Sequence, residues 1–214
     1  MKLAKYIDHT NLKADATKKD IEKLCKEAIE YDFKTVCINP GYIAYAKELL
    51  AGSDVGVCTV IGFPLGQMTT KAKVFEAKDA IESGADEVDM VINIAKLKDA
   101  DYEYVTNEIR EIKEACGRHC LKVIIETCLL TDEEKKMACK CIMDAKADFV
   151  KTSTGFSLSG ATFHDVELLK SCVQDKCFVK AAGGVKTHED MLKMIELGAD
   201  RIGTSSGVKL MQND

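Results

Sequence analysis

The sequence contains only two prolines and no long glycine- or serine-rich stretch, so nothing in it reads as an interdomain linker. No run of about 18 apolar residues is present, and the N-terminus, Met1-Lys2-Leu3-Ala4-Lys5-Tyr6-Ile7, lacks the apolar core of a signal peptide. No membrane partner is expected, and a cytoplasmic location is. A basic stripe or arm is also missing. The formal net charge of −5 is spread over a mixed-charge chain, which argues against nucleic acid as a partner. No Gly-x-Gly-x-x-Gly follows an early strand, which excludes the usual dinucleotide site. Without a secretion signal, the ten cysteines read as reduced thiols rather than a disulfide framework.

What is present is a chain of 214 residues, 46% hydrophobic, the size and composition of one globular domain spanning residues 1–214. Short β-rich runs alternate with amphipathic helical stretches. The strand candidates are 5–9, 34–38, 55–61, 87–92, 122–126, 149–153, 178–182 and 201–204. Several are nearly continuous apolar runs, as parallel strands buried on both faces require. Between them, Ile21, Leu24, Cys25, Ala28 and Ile29 mark one face of a helix. Met137, Ala138, Cys141, Ile142 and Ala145 mark another. Thr131 with Glu134 reads as a capping box, and Thr17 with Asp20 and Thr187 with Asp190 as weaker ones. A local repeat, Gly84-Ala85-Asp86, Lys146-Ala147-Asp148 and Gly198-Ala199-Asp200, falls where a helix should end and a strand begin. The expected fold is α/β, a (β/α)8 TIM barrel rather than an open sheet.

The chemical signal is a pair of matching strands, Phe149-Val150-Lys151 and Phe178-Val179-Lys180. Each places a lysine inside an apolar run, where a cation is costly to bury. Two ammonium groups ~6 Å apart at an effective dielectric of ~20 repel by roughly 3 kcal/mol. That draws one of them from ~10.4 towards ~8, and burial pushes the same way. A neutral amine is what carbonyl attack needs. The alternative, one lysine reaching the barrel rim and the other paired with a carboxylate, stays open on the pattern alone.

Asp89 lies inside another apolar strand and shares a face with Val91 and Asn93. Facing inward, it would reach the lysines as a proton relay or as a simple counter-ion. Lys122 and Glu126, flanking the next strand, are a candidate supporting pair. Asp8 and Thr10 are placed at the lumen's edge, where they would organise water. Ser153-Thr154-Gly155, Gly183-Gly184-Val185 and Gly203-Thr204-Ser205-Ser206-Gly207 all follow strands, hence lie on the C-terminal face where barrel enzymes hold their chemistry. Gly183-Gly184 lets a ligand approach the backbone, and Ser205 and Ser206 could offer amides to an anion.

At these residues the chain resembles the deoxyribose-phosphate aldolases, a family of class I aldolases. The similarity runs through Tyr6-Ile7-Asp8-His9-Thr10, Val36-Cys37-Ile38-Asn39-Pro40, Ile61-Gly62-Phe63-Pro64-Leu65-Gly66, the strand from Glu87 to Asn93, Lys122 to Thr127, Val150 to Phe156 and Lys180 to Val185. The resemblance implies reversible cleavage of 2-deoxy-D-ribose 5-phosphate to D-glyceraldehyde 3-phosphate and acetaldehyde, in deoxynucleoside catabolism. It implies Lys151 as the Schiff-base lysine, Lys180 as the second lysine, Asp89 as the acid/base carboxylate, and neither metal nor organic cofactor. The partner is a small phosphorylated sugar, and the expected assembly is a homo-oligomer, a dimer first of all.

There are two departures. Some members end in a tyrosine that aids proton transfer, where this chain reads Met211-Gln212-Asn213-Asp214. Some place a lysine where Phe156 stands, so phosphate binding would lean on Gly155, Gly184, Ser205, Ser206 and Lys186. Cys116-Gly117-Arg118-His119-Cys120 resembles half a metal site, but no second cluster completes it. Cys37 and Cys128 read as buried spectators, and His9, His164 and His188 as satisfying local hydrogen bonds. Rival readings are another phosphate-binding barrel enzyme, such as an isomerase with a carboxylate base, and a silent scaffold on the same fold.

Overall fold

The computed structural model describes residues 2–212. The strands are β1 (Ile7–Asn11), β2 (Thr35–Ile38), β3 (Gly56–Ile61), β4 (Glu87–Val91), β5 (Cys120–Ile124), β6 (Phe149–Lys151), β7 (Phe178–Ala182) and β8 (Arg201–Thr204). The helices are α1 (Lys18–Tyr31), α2 (Ile43–Leu49), α3 (Thr70–Glu82), α4 (Ile94–Lys98), α5 (Tyr102–Cys116), α6 (Asp132–Asp144), α7 (Phe163–Val173), α8 (His188–Glu196) and α9 (Gly207–Met211). Each strand pairs in parallel with the next, and β8 pairs with β1 to close the barrel. The (β/α)8 expectation holds. Asn213 and Asp214, half of the C-terminal segment set against the family's tyrosine tail, lie outside the described residues.

Every residue of β2, β4 and β8 is buried, because one face of each strand meets helices and the other fills the lumen. Three strands, β1, β5 and β6, differ from expectation by two residues at an end. β1 begins at Ile7 because Leu3–Tyr6 wind into a 3-10 turn. β5 begins two residues early and stops before Glu126, whose positive φ of 54° turns the chain. β6 stops at Lys151, after which Thr152 Oγ1 turns to donate to the Ala182 carbonyl of β7. The predicted helical faces are buried at Ile21, Leu24, Cys25 and Ala28 of α1 and at Ala138, Cys141 and Ile142 of α6. Ile29, on the margin of its stripe, stays 43% exposed. All three capping boxes form.

The repeat at the helix–strand junctions has a specific job. Its first residue adopts positive φ, 106° at Gly84 and Gly198 and 58° at Lys146, which ends the helix in a left-handed turn. The following alanine amide then bonds back to the helix, as from Ala85 to the Ala80 carbonyl at 3.0 Å. The aspartate accepts from the first amides of the preceding strand: Asp86 from Val57 at 2.7 Å, Asp148 from Leu121 at 2.8 Å and Asp200 from Val179 at 2.9 Å. Each is held in turn by a lysine of a nearby helix, Lys47, Lys113 or Lys170. The motif therefore anchors neighbouring β/α units at the N-terminal end of the barrel.

Outside the lumen, Lys73 of α3 and Glu108 of α5 form a fully buried ion pair at 2.9 Å. Lys73 also donates to the Val91 carbonyl at 2.8 Å, and Glu108 accepts from the Asn93 amide at 3.0 Å. The pair thus grips the C-terminal end of β4. Burial pushes Lys73 down and Glu108 up, each opposed by the attraction of the other. A Lys73→Met change is expected to cost about 3–5 kcal/mol by stranding the carboxylate, while Lys73→Met with Glu108→Leu recovers most of it. Urea unfolding of the two variants checks this, and equal losses would count against it.

Candidate active site

Inside the barrel the charged side chains form one connected cluster. Its hub is Asp89 of β4. Asp89 Oδ2 accepts from Lys151 Nζ at 2.8 Å and from Lys180 Nζ at 2.7 Å. Its Oδ1 accepts from Lys122 Nζ at 2.8 Å and from the Cys58 thiol at 3.2 Å. Parallel pairing sets Lys151 beside Lys180 and Asp89 beside Lys122, which is why strand interiors far apart in sequence meet at one carboxylate. The two-lysine repulsion expected from sequence is therefore mediated by a shared anion.

Below this hub lies a second tier. Lys180 Nζ is 2.5 Å from Asp8 Oδ2, and Lys122 Nζ is 2.6 Å from Glu87 Oε2. Arg201 bridges Asp8 at 2.7 Å and Glu87 at 3.0 Å, and Thr35 Oγ1 donates to Asp8 at 2.7 Å. Asp8 is thus a fully buried foundation, not a residue of the lumen's edge. The reason is register: it sits at the start of β1, next to Gly203 of β8 and Thr35 of β2. Thr10, one turn of the pleat further on, does line the cavity, and its hydroxyl donates to the Asp8 carbonyl.

The electrostatics follow from this packing. Burial alone would raise the Asp89 carboxyl, but Lys122, Lys151 and Lys180 outweigh it and hold the group well below the usual carboxylate range. Asp8 is likewise held low against burial by Arg201, Lys180 and Lys122. Burial would lower Lys180, but Asp8 and Asp89 hold it above the ordinary lysine value. Lys122 is raised in the same way by Asp89 and its neighbours. In the cluster three carboxylates (Asp8, Glu87 and Asp89) face four cations: Lys122, Lys151, Lys180 and Arg201. Lys151 has the fewest partners, with Asp89 its one carboxylate among the described residues. It is also the lysine that reaches the cavity.

That cavity, about 580 Å³, opens on the C-terminal face. Lys151, Thr10, Gly155, Gly183, Gly184, Lys186, Ser205 and Ser206 all line it, so the loops expected at an anion site do converge on the lysine. Phe156, at the position where a lysine was noted as missing, packs edge-to-face on Phe63 with ring centroids 5.3 Å apart. Gly160 makes the loop arrangement possible, since a Cβ there would lie 2.3 Å from the Gly183 carbonyl carbon.

The Lys122–Glu126 pair does not form. Lys122 points into the lumen, while Glu126, past the end of β5, accepts from the Thr154 amide at 3.2 Å and from the Thr154 hydroxyl. Glu126 therefore shapes the loop that carries Gly155. Glu87 and Arg201 are the members that strand reading passed over. The alternation that put Asp89 inside also puts Glu87 on the same face, and β8 pairing aligns Arg201 with Lys180.

Cys37 and Cys58 bring sulfur within 4.8 Å of the Asp89 carboxylate, and Asp8, Cys58 and Glu87 form a similar group. The carboxylates of both sets are already bonded to ammonium or guanidinium groups, a donor set suited to lysine rather than to a metal cation. Cys116 and Cys120 lie at the opposite, N-terminal end of β5. All ten cysteines stand as free thiols. His164 and His188 meet Asp132 and the Leu210 carbonyl.

The fold and this cavity define a barrel enzyme with a lysine in the floor of its site. The chain matches the model of the DeoC/LacD family aldolases over residues 2–213; it belongs to that family and is a lyase. A relative from Finegoldia magna, named deoxyribose-phosphate aldolase, is 61% identical over 212 residues, covering 99% of this chain and 100% of that one. One of the same name from Malacoplasma penetrans is 58% identical, covering 99% and 95%. The solved tetrameric deoxyribose phosphate aldolase from Aeropyrum pernix superposes with a TM-score of 0.89 at 35% identity, over 97% of this chain and 88% of that one.

Proposed function

We propose that the enzyme cleaves 2-deoxy-D-ribose 5-phosphate reversibly to D-glyceraldehyde 3-phosphate and acetaldehyde through a Schiff base on Lys151. The observation that carries the reading is the charge imbalance of the lumen: three carboxylates against four cations, with the least paired cation at the cavity. Removing one proton balances the cluster, and taking it from Lys151 sacrifices the least ion pairing. The resulting amine attacks the C1 aldehyde of the open-chain sugar, and loss of water gives the iminium. Removal of the C3 hydroxyl proton then breaks the C2–C3 bond, with the electron pair drawn into the iminium. Protonation of the enamine at C2 and hydrolysis release acetaldehyde and restore Lys151.

In this reading Lys180 is a fixed cation and proton donor. Asp89 passes protons between the two lysines and does not store one, because its carboxyl is held far into the ionised form. Lys122 keeps that carboxylate in place, and Asp8 holds Lys180 beside it. Gly155, Gly183, Gly184, Ser205 and Ser206 offer backbone and hydroxyl donors to the phosphate, with Lys186 at the mouth. Glu126 fixes the 154–156 turn, and Thr10 meets the sugar end. The name of the Finegoldia relative supports the substrate, and the chain acts as a homo-oligomer.

Sodium borohydride with acetaldehyde should reduce the iminium to a stable ethyl adduct on the Lys151 peptide, found by mass spectrometry. A modification that maps elsewhere, or none, would sink the assignment. Changing Lys180 to leucine removes the cation that shares Asp89 with Lys151. It is expected to lower kcat by about 10²–10³. An unchanged kcat would remove Lys180 from this role.

A further inference from the structure

His9 follows the buried Asp8 on β1 but turns the other way, towards α1. Its ring packs on Phe33, with centroids 5.1 Å apart, and is 2% exposed. It nevertheless belongs to the wall of the cavity that holds Lys151, Ser205 and Ser206. His9 Nε2 lies 2.7 Å from Glu27 Oε2. An ionised carboxylate only accepts, so Nε2 carries hydrogen and, in the neutral ring, Nδ1 presents a lone pair. That Nδ1 is buried and has no hydrogen-bond partner, a situation that native interiors rarely tolerate without a purpose.

The neighbour of Nδ1 identifies the purpose. A Cβ built on Gly207 would lie 2.8 Å from it, so the glycine lets the ring press directly on the backbone that follows Ser205 and Ser206. As the first residue of α9, Gly207 has an amide with no carbonyl one turn earlier to receive it. An unpaired acceptor thus lies against the turn at the anion end of the cavity, where the Ser206 amide is held by Thr204 Oγ1 at 3.0 Å.

We propose that His9 is a positioning residue for substrate phosphate: Glu27 fixes its tautomer, and Nδ1 accepts a hydrogen bond from the Ser205–Gly207 turn when an anion is held there. The inference rests on the reading that the substrate's phosphate binds at this end. It ties β1 and α1, which carry Asp8, Thr10 and Glu27, to the loop that grips the ligand.

The test contrasts two substitutions in the full-length enzyme. His9→Asn keeps a polar atom at the place of Nδ1 and loses the reach to Glu27. His9→Gln keeps that reach and places nothing at Nδ1. His9→Gln is expected to raise KM for 2-deoxyribose 5-phosphate about tenfold, the worth of one hydrogen bond, with kcat within about twofold. His9→Asn should stay within about threefold of the unaltered KM. Neither should change kinetics with unphosphorylated 2-deoxyribose. Equal effects of the two variants, or equal effects on both sugars, would overturn the proposal.

A second measurement needs no variant. Nitrogen NMR of the histidine-labelled enzyme should show the Nε2–H tautomer at His9, with the Nδ1 signal moving as inorganic phosphate is added. An Nδ1 signal unmoved at saturating phosphate would also overturn it. Cleavage of the phosphorylated sugar by the unaltered enzyme is scored first, so failure of the substrate reading shows there. The histidine is judged by the variant contrast and the NMR shift.

Discussion

Lys151→Leu is expected to abolish turnover and borohydride-dependent labelling together, a loss on the order of 10⁶-fold if removal of a covalent nucleophile acts here as it does elsewhere. It is expected to do so without unfolding the protein. Lys151 is the excess charge of the lumen, bound to one carboxylate that Lys122 and Lys180 also hold. Its removal leaves three anions and three cations, all still paired. Leucine fills a comparable apolar volume beside the wall of the cavity, so stability should change by less than about 1.5 kcal/mol. Circular dichroism and urea unfolding would check the second half, and a coupled assay for glyceraldehyde 3-phosphate with mass spectrometry the first. A variant that keeps the adduct would place the nucleophile elsewhere. One that unfolds would show the charge count to be the wrong description of the site.

The same two halves separate this reading from its rivals. An isomerase on this barrel would use a carboxylate base and tolerate the loss of a lysine amine better than the loss of Asp89. A scaffold would be indifferent to both in any assay of chemistry. The family match with aldolases already weighs against both, and the adduct would decide.

Lys151, Lys180 and Asp89 were legible because a charge in the middle of an apolar run has no bland home, and period-two alternation assigns it a face. The barrel was legible for a related reason: strands with no polar face must be covered on both sides. What stayed hidden depended on register. Asp8, Glu87 and Arg201 stand at the starts of β1, β4 and β8, where a charged residue reads as a rim residue. The stagger of closed strands instead lifts these starts into the packed lumen. Sequence spacing gives no stagger, so Asp8 was placed at the edge and Arg201 was missed. Glu126 was misread for a local reason. It falls past the end of β5 in a left-handed conformation, so it leaves the strand that carries Lys122 instead of flanking it.

Asp89→Asn reports on the whole cluster. Asparagine keeps the shape and removes the charge that three ammonium groups share, leaving two carboxylates against four cations. Stranding buried partners in this way costs about 3–5 kcal/mol, and loss of the proton relay lowers kcat by about 10²–10⁴. The pH dependence gives the sign. The Asp89 carboxyl is held well below its ordinary value in the folded enzyme, so the unfolded chain takes up its proton first as pH falls. Its contribution to stability is therefore complete above the unfolded carboxylate range, near ~4, and disappears as pH drops through the folded value. The gap between the unaltered enzyme and Asp89→Asn should be widest near neutrality and close progressively below pH ~4. Because Lys122 is one of the cations then in excess and loses one of its two close carboxylates, adding Lys122→Met to Asp89→Asn should recover about 1–2 kcal/mol, a non-additivity of the size contacting residues show. Urea unfolding from pH 3 to 8 measures both effects. A gap that stays constant with pH, or strictly additive losses in the double variant, would mean that Asp89 is not the shared anion of this site.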